Sequence, residues 1–459
     1  MRVLHFLCVA GLMLAFGLPL PGLAGELKLD YPAIPSIEYK GERYKATVPD
    51  TLDLAERARL AINGLTSTLD PEQDYFQWFF VWMNRQPPRM QHNAGDFNCS
   101  PKYAESIPRM RVMSGSKQNI DADQKMLEYL VNRAISAEDG LHYVIYNEKR
   151  PWHSNWHGGH FGEKKEDVAN VFGNGRMLLS MLIRDQLDDK YPWEKRIRAM
   201  IDGLDRIAIH KDDFAYYPPR GGFGEAGAYP RTGWLNTDEP KSDKDGPEGI
   251  TSVYGHVLRA AALWAERSGD KDALRLAREL KTLVIKPQFW GGLAKHKNIE
   301  DRELGHIDFH AHARAIGLRG ILEYGIVAKD MYASDFVRSG YEYIRTLGIP
   351  QMGWFSLAGG IVTMEGCTLG DLIAIAIKLS DAGLGDYWDD VDRIVQNSLA
   401  ESQFIDRERL ARTIEEQPQE RLQVGTDILG KPSFQGRRWI RVQSPKTDRI
   451  LMMTCWTAA

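Results

Sequence analysis

Glu365 and Cys367 stand two residues apart in the stretch MEGCTLGDLIAIAIKLSDAG, Met364 to Gly383, where an apolar helical pattern begins. Residues so spaced cannot share one helical face. In an extended or first-turn conformation, however, both side chains reach one ion, with the orphan N–H groups of the helix start close by. Zinc accepts carboxylate oxygen and thiolate together, and a thiolate is stabilised beside zinc or a helix N-terminus. The plainer reading of the pair is a Glu favoured by the helix macrodipole and a buried, inert Cys.

Histidines and tryptophans form the second group. WHSNWHGGHF carries Trp152, His153, Trp156, His157 and His160, and GHIDFHAHA carries His306, His310 and His312. Helical spacing puts His306 and His310 on one face and turns His312 roughly 160° away from His310, so the three are not ligands of one ion. With Trp152, Trp156, Trp234 and Trp354 offering flat apolar faces to sugar rings, these histidines read as a polar sugar cleft. The structural counterpart is a set of loops capping a hydrophobic ring, with histidines bonded to backbone carbonyls. Cleavage of a glycosidic bond needs two carboxyl groups, or a nucleophile and an acid, and Glu225, Asp308 and Glu342 are carboxylates outside the first motif. GNGR, Gly173 to Arg176, sits at a helix start but lacks the Lys-Ser/Thr of a phosphate loop. Asn98-Cys99-Ser100 has the form of a glycosylation sequon and reads as chance, with Cys99 a buried thiol.

The elements that must position these groups are helices. From Asp50 onward, segments such as TLDLAERARLAINGLTSTL, EDVANVFGNGRMLLSMLIRDQLDD and EGITSVYGHVLRAAALWAERSGD repeat an apolar face at helical spacing. Short polar turns such as RSGDKDA and AKDMYAS join many of them as antiparallel hairpins. Longer Gly-, Pro-, Trp- and His-rich segments separate the hairpins, and long loops of that kind usually carry function. The pattern predicts an all-α fold, an (α/α)6 toroid of about six helical hairpins with its loops gathered at one end; the absence of a fixed repeat length argues against an open solenoid. After Phe404 a charged stretch leads to GRRWIRVQSPKTDRILMMTCWTAA, which alternates like a strand and ends as if a further domain follows. The expected organisation is a signal peptide over 1–24, an extended segment over 25–49, the barrel over 50–404, and a charged linker with a strand-like segment over 405–459.

Composition limits the partners. The 459 residues, 43% hydrophobic, suffice for a large core. The 58 basic and 62 acidic residues are well mixed, which leaves no electrostatic footprint for nucleic acid or an anionic membrane surface. One Arg, an apolar run and a small-residue G-L-A pattern before Gly25 read as an export signal, placing the protein in a secreted or periplasmic location. No later run is apolar enough to span a bilayer once that signal is removed. Without Cys8, which lies in the signal, Cys99, Cys367 and Cys455 remain, open to one disulfide, free thiols or metal thiolates.

The run from Met364 through Gln403 resembles the E-T-C, helix and Y-x-D-x-x-E-R-x-x-x-N stretch of glycoside hydrolase family 127, the beta-L-arabinofuranosidases. FHAHARAIGLRGILEYGIVAKD is similar to that family's H-x-N helix, and WFSLAGG to its Gly-Gly loop; the likeness runs from about Asp167 to the C-terminus. The resemblance implies an (α/α)6 barrel followed by a β-sandwich, and a zinc ion held by Glu365, Cys367 and Cys455, with Cys455 as nucleophile. Two departures stand out. Where the family has adjacent cysteines the chain reads MTCWT, and no carboxylate occupies the family's acid/base position between the Gly-Gly loop and E-x-C.

The expected function is thus an exported glycoside hydrolase acting on side-chain sugars of an oligo- or polysaccharide, with Trp152, His153, Trp156, His157, His160, His310, His312 and Trp354 holding substrate. The alternatives are a non-catalytic glycan-binding protein that has lost the active site, and an (α/α)6 hydrolase or lyase using loop carboxylates and histidines.

Overall fold

The computed structural model describes residues 52–82, 89–92, 99–146, 166–219, 227–245, 249–290, 305–307, 310–356, 364–403, 405–416 and 439–441. Among them are twelve α-helices. In chain order they are α1 (Leu54–Ser67), α2 (Ser100–Ser114), α3 (Ile120–Tyr129), α4 (Val171–Leu187), α5 (Trp193–Ile207) and α6 (Ile250–Ser268). The rest are α7 (Lys271–Val284), α8 (Ala311–Ala328), α9 (Met331–Thr346), α10 (Gly366–Asp381), α11 (Trp388–Arg393) and α12 (Arg407–Glu415).

Two kinds of helix alternate, and the sequence distinguishes them. In α5 the buried residues Trp193, Ile197, Met200, Ile201, Leu204 and Ile207 recur at three- and four-residue steps, so one stripe faces inward and the charged residues face water. α7 and α9 have the same stripe, and Asp270 and Asp330 cap their N-termini by accepting from Ala273 N and Ala333 N. In α8, by contrast, every residue from Ala311 to Gly325 is buried, as in a helix surrounded by others. α4 and α6 are buried almost as completely.

The buried helices form the inner layer, in the order α2, α4, α6, α8, α10, each packed on the next. Lys102 on α2 reaches Cys367 on α10, which brings the last of these helices back to the first. Small residues let the backbones meet. A Cβ at Gly175 would lie 2.5 Å from Val257 N, and one at Gly255 2.6 Å from the Ile316 carbonyl oxygen. The contacts run in the same order along both partners: Thr251 meets Gly317 and Leu258 meets Gly320 across α6 and α8. His312 meets Asp371, and Glu323 meets Lys378, across α8 and α10. The inner helices are therefore parallel, and their N-termini open at the same end.

Short strands trim that end. Tyr143–Val144, Val168–Asn170 and Ala228–Pro230 form a three-stranded antiparallel sheet. It delivers Asn170 to the start of α4, where its side chain accepts from Gly173 N at 3.2 Å. Trp439–Arg441 pairs antiparallel with Arg89–His92. No helix among the described residues is long and apolar enough to cross a membrane.

Candidate functional site

His310 and Glu365 each immediately precede an inner helix, in extended backbone conformation, and neither side chain caps its own helix. They bond each other instead: His310 Nε2 lies 2.8 Å from Glu365 Oε2. One residue into α8, His312 turns inward, its Nδ1 2.6 Å from Asp371 Oδ2 on α10. The other oxygen of Asp371 accepts from Arg319 Nη1 at 2.7 Å. Two histidines, each oriented by its own carboxylate, thus sit side by side with ring centroids 5.8 Å apart.

This proximity corrects the helical expectation for the triplet His306, His310 and His312. The helix begins at Ala311, so the backbone at His310 is extended and side chains two apart point the same way. His306 lies outside the helix and stacks on Tyr343 of α9, with ring centroids 4.2 Å apart.

Side-chain exposure marks the mouth: 28% at Glu365 and 19% at His310, then 10% at His312 and nil at Asp371. Burial alone would raise the Glu365 carboxyl. The His310 hydrogen bond and the charges of His312, His310 and Lys102 outweigh it and hold the group at about 2. Burial acts on Asp371 in the same way, but His312 and Arg319 keep it well below the usual carboxylate range. Both carboxylates are ionised at neutral pH. Deeper in the ring, His256 on α6 is held neutral, first by burial and then by the surrounding charges of Arg176, Arg319, Arg259 and His312.

The network continues along the ring axis. Arg176 on α4 donates Nη1 to Glu105 Oε2 on α2 at 3.1 Å. Lys378 on α10 donates to Glu323 on α8 at 2.7 Å. The inner surface is thus a polar lining within an apolar double layer of helices.

The other expected site residues fall elsewhere. Trp152, His153, Trp156, His157, His160 and Cys455 lie outside the described residues, as do Glu225 and Asp308. Trp354, half-buried, lies in a two-residue strand paired with Gly348–Ile349. Trp234 is held structurally, donating Nε1 to the Ile207 carbonyl at 2.7 Å. Glu342 is on the outer helix α9, paired with Arg345 at 2.8 Å. Of the expected zinc set, Glu365 faces His310, and the Cys367 sulfur, buried, lies 3.7 Å from the Lys102 ammonium. No group of three or more His, Cys, Asp or Glu among the described residues is placed to hold a metal.

Residues absent from the sequence-based set are Asp371, Arg319, His256, Arg176 and Lys102. The signal was present: Asp371 interrupts TLGDLIAIAIKL, and His256 and Arg259 interrupt SVYGHVLRAAALW. A charged residue in a helix apolar on all sides requires a buried partner.

No family model and no curated protein matches the sequence. Solved structures do match. The chain is similar to a sugar epimerase from a ruminal bacterium, with 9% identity and a TM-score of 0.50 over 77% of this chain and 88% of that one. A D-mannose isomerase aligns at 12% identity and a TM-score of 0.49, over 79% of this chain and 89% of that one. A family 76 glycoside hydrolase from a bovine Bacteroides thetaiotaomicron strain aligns at 11% identity and 0.42, over 72% and 68%. The fold is an (α/α) toroid. All three neighbours are named for chemistry on sugars, and none of the three is named as a family 127 protein.

Proposed function

We propose that the protein is a carbohydrate-active enzyme that moves protons on a saccharide bound at the N-terminal end of the inner helices. The observation that carries this reading is the pair of carboxylate-oriented histidines, His310 with Glu365 and His312 with Asp371. A histidine with one ring N–H held by an ionised carboxylate, Nδ1 on His312 and Nε2 on His310, is oriented for proton transfer, and the carboxylate stabilises the imidazolium that forms. Two such groups side by side suit removal and return of a proton at a sugar carbon, as in epimerisation, isomerisation or elimination. The fold shared with a sugar epimerase supports the same substrate class.

Glycoside hydrolysis is the second reading, favoured by the ionised Glu365 at the mouth. In its zinc form it requires Cys455, and it remains a separate proposal, as does export directed by residues 1–24. The deciding measurement is proton NMR of sugars incubated with the pure protein in deuterium oxide. Deuterium entering a carbon position, and lost in His312→Gln, supports proton transfer. Glycoside cleavage without exchange sinks it in favour of hydrolysis.

A further inference from the structure

The polar lining of the ring contains more hydrogen-bond donors than the protein uses. Arg176 spends Nη1 on Glu105, but its Nε and Nη2 are buried without a partner. Arg319 spends Nη1 on Asp371, and its Nη2 is likewise unsatisfied, as is Nε2 of His256. Arg176 and His256 are 2% exposed and Arg319 6%, so bulk water does not solvate them. Buried donors left unmade are costly, the more so on a charged group, and native interiors rarely tolerate several together.

These groups share neighbours. Arg176 and His256 flank one phenyl ring: the guanidinium carbon is 6.0 Å from the Phe172 centroid, and the imidazole packs edge-on to it at 4.8 Å. Arg319 is brought alongside by the crossing of α6 and α8, where a Cβ at Gly320 would touch the carbonyl of Gly255, next to His256. Among the described residues, each carboxylate of this lining is shared: Glu105 by Arg109 and Arg176, Glu323 by Arg259 and Lys378, and Asp371 by Arg319 and His312. The inner helices add the positive ends of their dipoles at the mouth.

We infer that the ring interior binds an anionic group of the saccharide, a carboxylate or a phosphate, on the unpartnered nitrogens of Arg176, Arg319 and His256. This rests on the proton-transfer reading only for its placement in a reaction: Asp371 bridges Arg319 to His312, so the anion lies one side chain from the base. An arginine fork is suited to a planar carboxylate or to phosphate oxygens. The substrate class is then an acidic sugar, a uronate or a sugar phosphate, and not a neutral one.

Titration calorimetry on the full chain at fixed ionic strength tests this with glucuronate, glucose 6-phosphate, inorganic phosphate and glucose. The expected result is at least tenfold tighter binding of one of the acidic sugars than of glucose, competed by inorganic phosphate. The uronate and phosphate arms tell the two sources apart. Arg176→Gln should abolish that preference. Arg176→Lys, which keeps the charge opposite Glu105 and guards against a folding defect, should retain part of it. Equal binding of glucose and the acidic sugars, or an undiminished preference in a folded Arg176→Gln, overturns the inference. Solvent-deuterium exchange separates the two readings: acidic-sugar binding without exchange removes the proton-transfer function, and exchange into glucose without anion preference removes the anion site.

Discussion

His312 Nδ1 lies 2.6 Å from Asp371 Oδ2, and Arg319 holds the opposite oxygen of the same fully buried carboxylate at 2.7 Å. One side chain therefore both orients a histidine and neutralises a guanidinium. His312→Gln is expected to lower turnover by about 10²–10⁴-fold, as loss of an acid–base group does, and to lower the melting temperature as well, because the buried Asp371 loses a partner. Asp371→Asn should lower turnover and also destabilise the fold by about 3–5 kcal/mol, because Arg319 is left buried without its counter-charge. Turnover of folded His312→Gln within tenfold of the wild type would remove His312 from the chemistry.

Stability should fall on acidification, in two stages. His256 is held below its ordinary value of 6.5, so beneath that pH the unfolded chain takes up a proton that the folded chain refuses. Glu365, held at about 2 against an ordinary 4.5, contributes stability that is complete above 4.5 and lost as the pH falls towards 2. Asp371, shifted in the same direction, adds to the second stage. Melting temperatures from pH 8 to pH 3 should show both, and His256→Asn should weaken the first. A curve flat down to pH 5 in the wild type contradicts the neutral burial of His256.

The cysteines separate the two chemistries. If the histidines move the protons, Cys455→Ala retains turnover within a few-fold and elemental analysis finds no stoichiometric zinc. If a zinc-bound thiolate is the nucleophile, the same variant is inactive, and zinc is bound at one per chain and lost with Cys367→Ala.

Gly255 sits where α6 meets α8 backbone to backbone. A methyl group there would come within 2.6 Å of the Ile316 carbonyl oxygen, and helix backbones cannot yield without separating. Gly255→Ala should cost about 1–3 kcal/mol, seen as a lowered midpoint in urea denaturation. An unchanged midpoint would mean that the inner helices are less closely packed than they stand here.

Much of the scaffold was legible from local pattern. The stripe Trp193, Ile197, Met200, Ile201, Leu204, Ile207 and the caps Asp270 and Asp330 are readable one segment at a time, because periodicity and capping act within a few residues. His310, His312 and Glu365 were singled out by residue type, yet their pairing was not, since it crosses 55 residues between His310 and Glu365.

The sequence by itself determined the helices, their alternation between striped and fully buried, and hence a toroid of hairpins; burial pattern is a property each segment carries alone. Only the tertiary structure decided which charges meet. Parallel inner helices place Glu105 beside Arg176 and Asp371 between His312 and Arg319, and a lone charge in an apolar helix does not specify its partner. That choice is made by the register of neighbouring helices, set by glycine contacts such as Gly255 on Ile316, and it brought a helix-start carboxylate and two histidines together.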